Sequence, residues 1–263
     1  MIDAHIQTIQ LDDMTVAYER LGNPSPDPVI FLHGLGDSAI ITFRSFAVSL
    51  ARSGISSVLI DLPGFGFSQA PAHWSAATED QAIVVAALLD HLNITHSPIV
   101  AHSMGGSIAI LLAEIRPDLV SRLIVAEPLL LPEQSTLGKS VAKRTEAWFV
   151  DRGYAMLRLA TQRQAARGDL AAIGFVEPLA RANPAIMHRS ASSLLVGRSP
   201  SFQDRLTALT LPRTLLIGER TIAETEQLED AGVAVQRIPD AGHSMMSENP
   251  AAFDEAIRNA LGH

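Results

Sequence analysis

The segment Ile99-Val100-Ala101-His102-Ser103-Met104-Gly105-Gly106 sets one serine between an apolar run and a run of small residues. A serine at such a strand-to-helix turn sits on strained backbone, so the positions two before and two after it must stay small. The pattern is G-x-S-x-G with Ala101 in place of the first glycine, which keeps that position small. A hydroxyl held in this turn can attack a carbonyl carbon. It needs a base within hydrogen-bond reach, because serine is a weak nucleophile at neutral pH. Nine histidines are available, and His243 is the candidate base. It follows Gly242 in the loop after the last apolar run and precedes a helical stretch, so it can fold back over the strand ends. Met104, directly after the serine, can offer its main-chain N–H to the negative charge that develops on the carbonyl oxygen. His102 is expected to shape the turn or line the substrate pocket.

These residues need a frame. Short apolar runs alternate with longer helical patterns, the signature of a mostly parallel sheet flanked by helices, an α/β fold. His5–Leu11 and Thr15–Arg20 read as a hairpin around Asp12-Asp13. Val29–His33, Ser57–Asp61, Pro98–Ala101, Leu123–Ala126, Arg213–Ile217 and Val233–Ile238 read as strands. Thr78–Leu92, Met104–Arg116 and Pro250–Leu261 read as helices, with Thr78 able to cap the first. Residues 129–198 break the alternation. They read as several helices carrying Trp148, Phe149, Tyr154, Phe175 and Met187. The expected organisation is a core of residues 1–128 and 199–263 with residues 129–198 inserted as a helical lid over the strands' carboxyl ends, where open α/β sheets bind ligands. Trp148 and Phe149 are expected to line the pocket.

With the serine segment, three further motifs resemble the α/β-hydrolase superfamily, and the resemblance runs nearly the length of the chain. His33-Gly34-Leu35-Gly36 is similar to its oxyanion loop, Asp61-Leu62-Pro63-Gly64-Phe65-Gly66-Phe67-Ser68 to the loop after the next strand, and Asp240-Ala241-Gly242-His243 to its catalytic-histidine segment. The resemblance implies that Leu35 supplies the second oxyanion N–H and that His33 orders its loop. Serine at the elbow sets the chain apart from the dehalogenases and epoxide hydrolases of this fold, which use aspartate, and from dienelactone hydrolases, which use cysteine.

The third member of a triad is the informative problem. Most members of this superfamily carry an Asp after the strand equivalent to Arg213–Ile217, in a segment like Gly-Glu-x-Asp. This chain reads Gly218-Glu219-Arg220-Thr221. Glu127 ends the strand after the nucleophile helix, 24 residues beyond Ser103, a placement similar to that in some haloalkane dehalogenases and in zearalenone-type lactone hydrolases. Glu127 is therefore the expected orienting acid, with Glu219 or Glu224 as alternatives, since triads are defined by geometry rather than position.

Bulk properties narrow the function further. A chain of 263 residues with 47% hydrophobic residues can bury one large core. A net charge of −8 argues against nucleic acid as partner. No apolar run spans a membrane and residues 1–13 lack a leader pattern, so a cytoplasmic enzyme with a small-molecule substrate is expected. There is no H-E-x-x-H, no cysteine, and Gly64-Phe65-Gly66 is too short for a dinucleotide fingerprint, so neither metal nor cofactor is expected. Residues 129–198 hold ten Lys/Arg and five Asp/Glu, either a set of solvated helix faces or an entrance for anionic substrates. The leading expectation is a serine hydrolase cleaving an ester or lactone of a small to medium apolar molecule. The alternatives are a carbon–carbon bond hydrolase acting on a dienoate-type ketone and a non-catalytic receptor on the same fold.

Overall fold

A computed structural model describes residues 5–262. Residues 1–4 of the segment read for a leader, and His263, lie outside them. Eight strands form one sheet in the order β1-β2-β4-β3-β5-β6-β7-β8. They are β1 (Gln7–Leu11), β2 (Met14–Leu21), β3 (Val29–Leu32), β4 (Ser57–Ile60), β5 (Ser97–His102), β6 (Val120–Ala126), β7 (Arg213–Gly218) and β8 (Ala234–Ile238). β1 pairs antiparallel with β2, and β2 with β4; the other neighbours are parallel. The order reverses between β3 and β5, which opens a crevice at their carboxyl ends.

The central strands are apolar throughout because helices cover both faces. Ile30, Leu32, Ile99 and Ala101 join one hydrophobic cluster, while Val29, Phe31 and Val100 join the other. α1 (Arg44–Arg52) and the carboxyl-terminal Pro250–Leu261 helix pack on the second face through Phe46 and Phe253. α2 (Thr78–His91) and α3 (Met104–Ile115) cover the first. Thr78 does not cap α2. It is the first helical residue, and its N–H donates to Ser193 Oγ at 3.0 Å. A distant helix supplies the acceptor that the local sequence was expected to provide.

Between β6 and β7 the chain forms α4 (Thr136–Ala142), α5 (Tyr154–Ala165), α6 (Leu170–Arg181), α7 (Pro184–Leu194) and α8 (Phe202–Ala208). This helical segment rests on the loops at the strands' carboxyl ends. Added side chains at Gly36 and Gly64 show how closely: a Cβ on Gly36 would lie 2.9 Å from Met187 Cε, and one on Gly64 2.5 Å from Ile186. Asn183 N–H also donates to Gly64 O at 2.8 Å. No described helix is long and apolar enough to cross a membrane.

Candidate active site

The parallel register brings the carboxyl ends of β3, β5, β6 and β7 side by side: Leu32 opposite Ala101, His102 opposite Ala126, and Ala126 opposite Leu216. The loops that leave these ends carry the chemistry. Ser103 follows β5 with φ 52°, ψ −118°, in the sparsely populated region that only crowded surroundings maintain. The crowding is visible at Gly105, where a Cβ would lie 2.5 Å from the His33 carbonyl oxygen, and at Gly106, where it would meet Pro128 at 2.8 Å. Ser103 precedes α3 but its side chain does not cap the helix. Its Oγ instead lies 3.1 Å from His243 Nε2.

His243 sits in the loop after β8. Its Nδ1 faces Glu127 Oε2 at 3.5 Å, the outer limit of hydrogen bonding and longer than the 2.6–3.2 Å of a fully formed catalytic pair. Glu127 is nonetheless held in place. Its backbone adopts φ 46°, its N–H donates to Leu216 O, and its Oε1 accepts from Gly218 N–H at 3.0 Å. Burial works to raise its carboxyl, but His243, the Thr221 hydroxyl and Gly218 N–H outweigh that and hold it below the usual carboxylate range. Thr221, the residue where an aspartate was expected, lines the same cavity as the displaced acid. The alternatives do not bond the histidine. Glu219 accepts from Asp240 N–H, and among the described residues no hydrogen bond or ion pair joins Glu224 to His243. Among the described residues, Glu127 is the carboxylate that reaches the histidine.

The neighbouring histidines have different work. His33 Nδ1–H donates to Gly34 O at 2.7 Å and its Nε2 accepts from Leu62 N–H at 2.9 Å. Burial lowers its pKa to about 4, so it ties two loops together as a neutral ring. His102 Nε2–H donates to the His243 carbonyl at 2.8 Å and lines the cavity. Burial, aided by the adjacent His243, lowers its pKa to about 3. His188 binds the Arg144 carbonyl within the helical segment. Met104 and Leu35 N–H groups have no intramolecular acceptor among the described residues; Met104 follows Ser103 directly, and Leu35 follows Gly34, whose added Cβ would lie 3.2 Å from Ser103 Cβ.

These groups open on a cavity of about 660 Å³, a size suited to a small or medium ligand. Its far wall comes from α4, α5 and α6, including Leu137, Thr161 and Phe175. The expectation for Trp148 and Phe149 is corrected. Neither lines this cavity. Phe149 is buried inside the helical segment against Tyr154 and His188, and Trp148 is partly exposed with Arg144 over its ring. Helical rotation sends Phe149 into the segment's own interior and Trp148 to its outer surface, and Phe175 takes the aromatic place in the wall.

Part of the basic surplus of the segment is spent away from the cavity. Arg189 pairs with Glu146 and Arg198 with Glu79, while Arg144 and Arg158 lie over aromatic rings. Among the described residues, no Lys or Arg lines the cavity. Asp37, Thr42 and the clamp of Arg220 with Glu248 escaped the sequence reading. Arg220 donates to Asp240 O and pairs with Glu248, which accepts from Gly242 N–H at 2.8 Å. This clamp braces the loop that carries His243. Asp37, two residues after Leu35, was the legible signal among them.

Comparison with known proteins agrees with this architecture. The family model described as alpha/beta hydrolase fold matches residues 27–250. The chain is 28% identical over 258 residues to the esterase Rv0045c of Mycobacterium tuberculosis, covering 92% of this chain and 85% of that protein. It is 31% identical over 120 residues to the uncharacterized hydrolase YugF of Bacillus subtilis, 46% of this chain and 43% of that one. The match spans less than half the length of the first such relatives. A thermophilic esterase from Thermogutta terrifontis superposes with a TM-score of 0.81 at 24% identity, covering 98% of each chain. The enol-lactonase of Burkholderia xenovorans LB400 does so with 0.80 at 18%, over 98% of this chain and 100% of that one. The chain belongs to the α/β-hydrolase family.

Proposed function

We propose that this protein is a cytoplasmic serine hydrolase that cleaves a carboxylic ester or lactone of a small to medium molecule, without a metal or other cofactor. The observation that carries the reading is the chain of contacts from Ser103 Oγ to His243 Nε2 at 3.1 Å and from His243 Nδ1 to Glu127. With the proton on Nδ1 facing the carboxylate, Nε2 presents its lone pair to the serine hydroxyl. Ser103 Oγ attacks the carbonyl carbon as His243 takes its proton. The N–H groups of Leu35 and Met104 receive the oxyanion, and Met104 lies at the positive end of α3. Collapse of the tetrahedral intermediate expels the alcohol, which leaves with the proton from His243. Water, deprotonated by His243, then releases the acid from Ser103.

Residues 129–198 act as a lid in this reading. They wall the cavity opposite the serine and set its shape. The absence of Lys and Arg from the described cavity wall favours neutral esters and lactones over the dienoate acids of carbon–carbon hydrolysis. A receptor would not need a serine held in strained backbone against a histidine.

The test is turnover of p-nitrophenyl esters by purified protein, with a fluorophosphonate as covalent probe. One probe molecule is expected on Ser103 by mass, and none on Ser103→Ala. Ser103→Ala and His243→Ala should each lose about 10⁴–10⁶ in kcat. Substantial ester turnover by Ser103→Ala would overturn the proposal.

A further inference from the structure

Asp37 is buried, lines the cavity, and has no part in the triad or the oxyanion donors. Its Oδ1 is saturated by Ser38 N–H at 2.8 Å and Thr42 Oγ1–H at 2.6 Å. Its Oδ2 has no protein partner among the described residues, although the residue borders the cavity. The backbone beneath it is pinned. Gly36 adopts φ +75° under Met187 and Phe175, and Asp37 N–H closes a turn onto Gly34 O at 3.2 Å. Asp37 is two residues from Leu35, so their Cα atoms are at most ~7 Å apart. A substituent close to the scissile carbonyl therefore falls within its reach. The structural work of Oδ1 needs one acceptor oxygen, which an amide would supply equally well. That leaves the second carboxylate oxygen, on a residue that lines the cavity, for a ligand.

We propose that Asp37 forms a substrate subsite that accepts a hydrogen-bond donor, a hydroxyl or ammonium group near the scissile carbonyl, and turns away carboxylates. This deepens the serine-hydrolase reading and rests on it. The wall around Asp37 agrees. Among the described residues it carries the carboxylates of Glu127 and Asp169 and no Lys or Arg, so an anionic substrate would meet like charge without a counter-ion. Burial, only partly offset by the bonds from Thr42 and Ser38 and reinforced by the neighbouring Asp61 carboxylate, pushes the Asp37 carboxyl up to about 7. At pH 8 it is mainly ionised and accepts from either donor. A preformed acceptor on a pinned loop binds such a group with little loss of freedom.

The experiment compares kcat/KM at pH 8 for p-nitrophenyl esters of butyrate, 3-hydroxybutyrate, 3-aminopropionate and hemisuccinate, corrected for spontaneous hydrolysis. Wild type should favour the hydroxy and amino esters over hemisuccinate by about 10- to 100-fold, the range for a hydrogen bond to a charged group. Asp37→Asn should shrink that ratio to within about threefold. A brace without a binding role would lower all four esters by one common factor, and that result overturns the inference. A wild-type preference for hemisuccinate overturns it too and remains readable if the variant fails to fold. Turnover with the wrong ranking leaves the serine reading intact. If no ester is turned over, that reading fails, and the subsite is still read by thermal stabilisation of Ser103→Ala by the same four esters. The same ranking supports the subsite, and equal stabilisation refutes it.

Discussion

Glu127→Gln probes the displaced acid most directly. The carboxylate has two tasks: Oε1 accepts from Gly218 N–H at 3.0 Å and Oε2 faces His243 Nδ1 at 3.5 Å. Glutamine can keep the first bond only by turning its NH₂ toward Nδ1, where it meets the Nδ1–H donor. The imidazole then favours the other tautomer, with Nε2–H toward Ser103, which cannot accept the serine proton. The charge lost opposite the imidazolium in the transition state sets a scale. At 3.5 Å it amounts to ~1–5 kcal/mol for effective dielectrics between 80 and 20. His243 is half-exposed, so the lower half of that range applies before the tautomer effect is added. The expected loss in kcat is about 10²–10³-fold. The assay is ester hydrolysis alongside urea unfolding. Stability should change by less than ~1 kcal/mol, because size and the Gly218 contact are preserved. Glu219→Gln and Glu224→Gln should stay within about tenfold of wild type. Activity of Glu127→Gln within threefold of wild type, with a hundredfold loss in Glu219→Gln or Glu224→Gln, would refute the reasoning.

Phe149→Ala should cost ~3–5 kcal/mol of stability and leave the ranking of substrates unchanged, whereas Phe175→Ala should reorder an ester panel. Gly105→Ala should destabilise by roughly 1–3 kcal/mol or more, measured by urea midpoint, because its Cβ would press on the His33 carbonyl. The buried groups predict opposite responses to pH. Asp37 has a folded pKa raised to about 7, so its folded state holds a proton that the unfolded chain releases, and its contribution to stability falls as pH rises from ~4 to ~7. Asp37→Asn should therefore gain stability relative to wild type across that window. His102 is lowered to about 3, so its contribution rises as pH climbs from about 3 to ~6.5. His102→Gln should lose that rise. Parallel urea midpoints from pH 4 to 7.5 would show both, and curves parallel to wild type would contradict the burial argument.

Most of the frame was legible because its causes are local. A strained serine needs small neighbours, and Ala101, Gly105 and Gly106 declare that within six residues. Buried parallel strands need continuous apolar runs, so β3, β4, β5 and β7 announce themselves within a residue of their observed bounds, whereas β6 begins three residues earlier, at Val120, than its apolar run. The order of oxyanion loop, nucleophile and histidine is an order along the chain and needs no third dimension. Glu127 was legible only as a candidate among three, because its spacing from Ser103 places it at a strand end without showing which carboxylate the histidine meets.

The sequence by itself determined the mostly parallel sheet, the serine turn, the histidine loop and the helical character of residues 129–198, all set by steric needs and periodicities that act over a few residues. Only the tertiary structure decided which carboxylate faces His243, because Glu127 and Glu219 leave adjacent strands and their aim depends on the Gly218 N–H and the Asp240 turn that hold them. It also decided that Phe175 rather than Trp148 or Phe149 walls the cavity, and that Arg189, Arg198 and Arg144 of the segment turn to Glu146, Glu79 and an aromatic face rather than to the cavity. Periodicity marks a helix as amphipathic, but whether a given side chain turns inward, to the cavity or to a partner is set by how that helix is rotated against its neighbours.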